Sequence, residues 1–147
     1  MKFLGIDYGT KRIGVAISDE EGVLAFPKEI ILNGPETFKR IEEILKDENI
    51  GEFVVGESVD FSGKLNALSG RIEVFILELQ EKFGLPVHKQ KEFLTSVEAR
   101  RYQDSVGQAR KSNQTHSRVK QIKSGRIDAS AAALILQRYL DKINKIK

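Results

Sequence analysis

A chain of 147 residues with 40% apolar and 31% charged side chains has the size and make-up of one globular domain, 1–147. It contains no cysteine, which excludes disulfides, thiol nucleophiles and cysteine-bound zinc, and its formal net charge is a mild +3. Met1-Lys2 leads straight into an apolar strand without a signal-peptide pattern, and no run approaches the roughly 20 apolar residues that cross a bilayer. The expected setting is therefore the cytoplasm, with no membrane partner.

The first predicted strand, residues 2–8, carries Asp7 at its end, and Gly9 follows at a tight turn. Ile13, Val15 and Ile17 alternate with smaller residues and carry a second strand to about Ser18. Asp19-Glu20-Glu21-Gly22 is a hairpin turn in which Gly22 supplies the unusual dihedrals. Residues 23–32 read as a third strand, and Pro27 marks an edge position or a bulge. Asn33-Gly34-Pro35 opens a helix, with Pro35 in its first turn, where a missing N–H costs nothing. Phe38, Ile41, Ile44 and Leu45 form its apolar stripe.

Glu52 to Glu57 is a short strand of the buried type. Ser62-Gly63 leads into a helix over about 63–83, stopped by Gly84 and Pro86. Pro86 to Lys91 is a weak fifth strand. Thr95-Ser96-Val97-Glu98 has the capping-box pattern and predicts a helix to about Ala109, with Glu98 as the reciprocal cap. Residues 110–126 are polar and basic and read as a loop or a disordered stretch, and a last helix from about Asp128 to Asn144 turns Ala132, Ile135, Leu136, Tyr139 and Ile143 inward. Hairpins followed by strand–helix–strand units with right-handed crossovers predict an α/β fold. The expected sheet is mixed and five-stranded, in order 3-2-1-4-5, with helices on both faces. The first strand is then central, and Asp7 lies at its carboxyl end, where open α/β sheets bind ligands.

Phosphodiester hydrolysis with two metal ions needs carboxylates from separate elements converging on one point. Asp7 is the natural bridging ligand, because Gly9 and Gly14 keep the backbone around it free of side chains. Asp128 stands before an Ala-rich helix and so also has the position of an N-cap, but the small residues after it allow that helix end to approach the sheet. Glu57 ends the fourth strand and Glu92 follows the fifth, so both compete for the remaining place. Magnesium suits such an all-oxygen set, with manganese as the alternative. His88 and His116 are isolated and read as polar surface.

Between Asp104 and Asp128 there is no acidic residue, and that span carries Arg110, Lys111, Arg118, Lys120, Lys123 and Arg126. A basic segment beside a carboxylate cluster suggests a polyanion such as nucleic acid. Lys11 and Arg12, in the turn after Asp7, join that basic set. There is no Gly-x-x-x-x-Gly-Lys-Ser/Thr loop and no Gly-x-Gly-x-x-Gly.

Ile6-Asp7-Tyr8-Gly9-Thr10-Lys11-Arg12-Ile13-Gly14-Val15-Ala16, Leu94-Thr95-Ser96-Val97-Glu98-Ala99 and Ser124-Gly125-Arg126-Ile127-Asp128-Ala129-Ser130-Ala131-Ala132 occur in that order. With these three stretches the chain resembles the YqgF (RuvX-like) family of RNase-H-fold nucleases over nearly its whole length. The resemblance implies an RNase-H-like fold, a divalent metal and a nucleic-acid substrate. Family members are linked to maturing the 5′ end of the pre-16S ribosomal RNA, and are also described as Holliday junction resolvases. The acids it carries over are Asp7, Glu92 and Asp128.

Two departures stand out. Gly56-Glu57-Ser58 replaces the family's Gly-Leu-Pro, and Lys91-Glu92-Phe93 replaces its Asp-Glu-Arg. Glu57 thus resembles the fourth-strand glutamate of RuvC-type resolvases, while Lys91 puts a cation next to Glu92. Adjacent strands lie about 4.8 Å apart, so Glu57 has the shorter route to Asp7. Both glutamates are expected to face the cleft, with Glu57 at least as important as Glu92. The leading expectation is an endonuclease on precursor RNA. The alternatives are a resolvase on branched DNA, which would act as a homodimer rather than a monomer, and a catalytically weakened nucleic-acid-binding module. An actin-like ATP-binding fragment is disfavoured, because such enzymes close two domains around the nucleotide.

Overall fold

The computed structural model describes residues 1–59, 67–93 and 116–145. Among them the chain forms β1 (Lys2–Tyr8), β2 (Arg12–Ser18), β3 (Ala25–Leu32), α1 (Thr37–Glu48), β4 (Ile50–Val59), α2 (Ala67–Phe83), β5 (Val87–Phe93) and α3 (His116–Asn144). The sheet order is β3-β2-β1-β4-β5, as expected from the sequence. β1–β2 and β2–β3 are antiparallel, whereas β1–β4 and β4–β5 are parallel. No helix among the described residues is long and apolar enough to cross a membrane.

Successive residues of a strand point to opposite faces, and here both faces are covered. Leu4, Ile6, Val15, Phe53 and Val55 pack with Ile41 and Ile44 of α1 and with Ile72, Phe75, Ile76 and Leu79 of α2. Phe3, Ala16 and Val54 pack on the other face with Ala132, Ile135, Leu136 and Leu140 of α3. α3 lies very close to the sheet because glycines lie beneath it. A Cβ on Gly5 would sit 2.7 Å from Leu136 Cβ and 3.2 Å from the Ala132 carbonyl oxygen. A Cβ on Gly56 would sit 2.6 Å from Ile135 Cδ1. Gly5→Ala should therefore destabilise the fold. Overpacking costs about 1–3 kcal/mol, against a gain of roughly 0.5–1 kcal/mol from replacing a strand glycine. Denaturant titration should show a net loss of about 1–2 kcal/mol. Gly34→Ala, where a Cβ meets nothing within 4 Å, should show no such loss.

Polar bonds fasten the C-terminal half of α3 to the β2–β3 hairpin. Gln137 Oε1 accepts from the Ala25 N–H at 2.9 Å, its Nε2 donates to the Val23 carbonyl at 2.8 Å, and Asn144 Nδ2 donates to the Gly22 carbonyl at 3.0 Å. Tyr139 meets Phe3 edge-on and stacks on His88, whose Nε2 lies 3.3 Å from Glu52 Oε1. His88 is thus part of the packing between β5 and α3, not plain polar surface. Burial, and then the Glu52 carboxylate, push the Tyr139 phenol above its ordinary pKa.

Local chemistry explains where the elements begin and end. Gly22 and Gly84 take positive φ of 69° and 64° at the hairpin turn and at the end of α2. Pro27 lies on edge strand β3, at a register shift where Val15 pairs with Glu29 and Ala16 with Pro27. α1 starts at Thr37, so Pro35 lies in the preceding turn and not in the helix. Thr37 Oγ1 accepts from the Gly34 N–H and donates to the Leu32 carbonyl, both at 2.9 Å, which holds that turn out of the helix. β4 runs from Ile50 to Val59, longer than its apolar centre suggests, because parallel strands pair with it on both sides. The expected start of α2 at 63–66 and the expected helix over 95–109 lie outside the described residues.

α3 corrects the reading of 110–126 as a loop. It begins at His116, so 116–126 is helical and Asp128 lies inside the helix, not at its N-cap. Arg, Lys and Gln are good helix formers, and lengthening an existing helix needs no new nucleus. Arg110 and Lys111 lie outside the described residues.

Candidate active site

Asp7 is half-buried at the C-terminal end of the central strand. It pairs in register with Gly14, so its neighbour on β2 has no side chain. The turn that follows needs Gly9, because a Cβ there would lie 2.4 Å from the Arg12 carbonyl oxygen. Asn33 fastens this turn to the β3–α1 connection. Its Nδ2 donates to the Gly9 carbonyl and its N–H to the Lys11 carbonyl, both at 2.9 Å. Asn33 was not among the expected site residues. Its signal is an Asn-Gly pair directly after a strand, a turn motif that sits just before a helix start and is easily taken as part of it.

The face on which each acid lies sorts the candidates. Asp7 alternates with Gly5 and Phe3 and so lies on the face covered by α3. On β4 that face carries Val54 and Gly56. Glu57 alternates with Phe53 and Val55, on the face packed by α1 and α2. The expectation that Glu57 shares a cleft with Asp7 is therefore corrected. It is one strand away, but on the opposite side of the sheet. Lys91 pairs in register with Glu57 and shares its face, so it does not stand beside an ion held by Asp7.

Glu92 pairs in register with Ser58, two positions after the Gly56–Gln90 pair. By strand alternation its position belongs to the α3 face, with Asp7. Asp128 belongs to α3 one turn before Ala132, whose carbonyl oxygen lies against Gly5. Helix and strand run in opposite directions there, since Leu136 lies over Gly5 and Tyr139 meets Phe3. One helical turn back from Ala132 is about 5–6 Å, and two residues onward from Gly5 is about 6–7 Å. The Asp128 backbone thus lies toward the Asp7 end of the strand. The side chains of Glu92 and Asp128 lie outside the described residues. Among the described side chains no three of His, Cys, Asp and Glu gather to hold a metal ion.

Arg12 opens β2 two residues before Gly14, which puts it on Asp7's face, and both Lys11 and Arg12 are exposed. Arg118, Lys120, Lys123 and Arg126 belong to the N-terminal half of α3, the part of that helix before Asp128. Asp7 at a strand end, with the exposed cations Lys11 and Arg12 in the turn after it, suits an anionic substrate that must approach a metal ion.

Over residues 1–142 the sequence matches the RuvX family, described as Holliday junction resolvase. The chain belongs to the RuvX family. This RuvX chain is 37% identical over 144 residues to a Lawsonia intracellularis protein named "Putative pre-16S rRNA nuclease", covering 97% of the chain and 94% of that protein. A Streptococcus pyogenes serotype M2 protein of the same name is 38% identical over 149 residues, with 97% and 99% covered. Among solved structures, the RuvX chain resembles T. thermophilus RuvC in complex with a Holliday junction substrate, at a TM-score of 0.51 and 16% identity, with 95% and 93% covered. It also resembles fowlpox virus resolvase in complex with Holliday junction DNA, at a TM-score of 0.51 and 10% identity, with 97% and 99% covered. At those identities the likeness speaks to the fold, which is RNase-H-like.

Proposed function

We propose that this RuvX chain is a metal-dependent endonuclease that processes the 5′ end of pre-16S ribosomal RNA in the cytoplasm. The observation that carries the site is that Asp7 and the Glu92 register position share one sheet face, with Asp128 on the helix that covers it. The relatives' name carries the substrate. Asp7, Glu92 and Asp128 would hold the metal. Three carboxylates are an all-oxygen donor set, which fits a hard ion such as Mg2+ or Mn2+. Gly14 beside Asp7 leaves room for it on the sheet. When bound, such ions activate water and stabilise the leaving oxygen of a phosphodiester. Lys11 and Arg12 hold the substrate backbone at the strand end. By sequence Arg110, Lys111, Arg118, Lys120, Lys123 and Arg126 belong to the same basic set, and phosphate contacts of this kind make binding salt-dependent without reading sequence.

The test is a matched cleavage assay with a pre-16S RNA carrying its 5′ leader and with a four-way DNA junction, each with magnesium and with chelator. Trimming of the RNA leader in magnesium only is the expected result. Cutting of the junction in place of the RNA would move the activity to branched DNA, and cutting of neither would reduce the protein to a binding module.

A further inference from the structure

We propose that the cavity beneath the C-terminal end of β1, between α1 and α2, binds one unpaired base of the strand whose phosphate lies at Asp7; this rests on the nuclease reading above. Tyr8 follows Asp7, so alternation turns it to the opposite face of the same strand end. There it lines a cavity of about 420 Å3 with Phe38 of α1 and Phe75 of α2. That volume lies within the range of small-ligand sites. The location is also one where α/β sheets bind ligands. The cavity lies at the carboxyl end of β1, the central strand of the sheet.

The lining suits a base with its phosphate better than it suits a purely apolar group. Tyr8 and Phe75 have ring centroids 5.0 Å apart, and Phe38 and Phe75 5.5 Å apart, so the three rings form one aromatic wall. Arg71 and Glu78 of α2 supply a cation and an acceptor. Asn33 commits its Nδ2 to Gly9, which leaves its Oδ1 as a second acceptor on the wall. Val74 lines the cavity while 56% exposed, an apolar surface without cover. Unpaired bases are recognised in this way, by stacking on aromatic rings with hydrogen bonds to the base edge and a cation for the phosphate. Because Asp7 and Tyr8 are consecutive, a single strand crossing this edge can present a phosphate to one face and a neighbouring base to the other.

Gly70 permits a clean test. It lines the cavity, is helical, and a Cβ there meets nothing within 4 Å. Gly70→Leu should plug the site without loss of thermal stability, since leucine is the better helix former. The probe is a single-stranded RNA hexanucleotide carrying one 2-aminopurine, mixed with the metal-free full chain so that nothing is cut. Stacking should quench its fluorescence in wild type. Gly70→Leu should abolish the quench and weaken binding about tenfold, in line with the loss of one stacked base, and Arg71→Ala should weaken binding severalfold. Unchanged quench and affinity in Gly70→Leu would overturn the proposal. Equal affinity for free 2-aminopurine riboside monophosphate would also overturn it, by making this a site for free nucleotides. RNA cleavage is scored separately on wild type. Cutting without a quench removes the pocket and leaves the nuclease, while a quench without cutting keeps the pocket and removes the nuclease.

Discussion

Asp7→Asn is expected to abolish metal-dependent cleavage and to leave the fold intact. Asparagine matches aspartate in size and keeps a hydrogen-bonding group, so β1 should hold its pairing with β2 and β4. What it loses is the charge at the one acid borne by the central strand. A metal ion supplies several kcal/mol of transition-state charge stabilisation, and each ~1.4 kcal/mol is a factor of ten in rate. Losing the ligand that Asp7 would give such an ion should therefore cost at least about a thousandfold in the single-turnover cleavage rate. Stability without metal should move by less than about 1 kcal/mol, because Asp7 is half-buried and its neighbour Gly14 has no side chain to rearrange. Calorimetric titration with Mn2+ should show the binding heat lost along with activity. Full cleavage by Asp7→Asn would remove the metal-centre reading.

The second large effect separates two glutamates. Glu92→Gln should lower cleavage by about a hundredfold or more under saturating magnesium, for the same reason as Asp7→Asn. Glu57→Gln should stay within about twofold of wild type, as a substitution remote from the chemistry. Distance along the sheet favours Glu57, since β4 is adjacent to β1 and β5 is one strand further. The face outweighs the distance. A carboxylate on the side of Phe53 and Val55 has the sheet itself between it and Asp7. The Glu92 position has the alternation of the α3 face, two residues beyond Gln90, which pairs with Gly56. If Glu57→Gln were inactive and Glu92→Gln normal, the metal would belong on the α1–α2 side and the site built around Asp7 would fall.

Period and turn chemistry are local, and these determined the strands, their order and Asp7 from the sequence alone. An apolar run before Asp7 set β1, alternation set β2, Gly22 and Gly84 ended their elements, and the hairpin-then-crossover pattern allowed the observed sheet order. The basic span before Asp128 was equally legible as composition, but not as structure. Lys, Arg and Gln without an apolar stripe read as a loop, and the helix they form extends a segment already anchored on the sheet by Ala132, Leu136 and Leu140. Only the tertiary structure decided on which face of the sheet Glu57 lies. In Phe53-Val54-Val55-Gly56 both faces of β4 are buried, so the run is continuously apolar and carries no alternation to mark the side on which Glu57 falls. That side becomes visible once α3 is seen pressing on Gly5 and Gly56, with α1 and α2 on the reverse. The cavity at Tyr8 was hidden for the same reason, because its walls come from β1, α1 and α2 and meet only when two helices pack against one strand end.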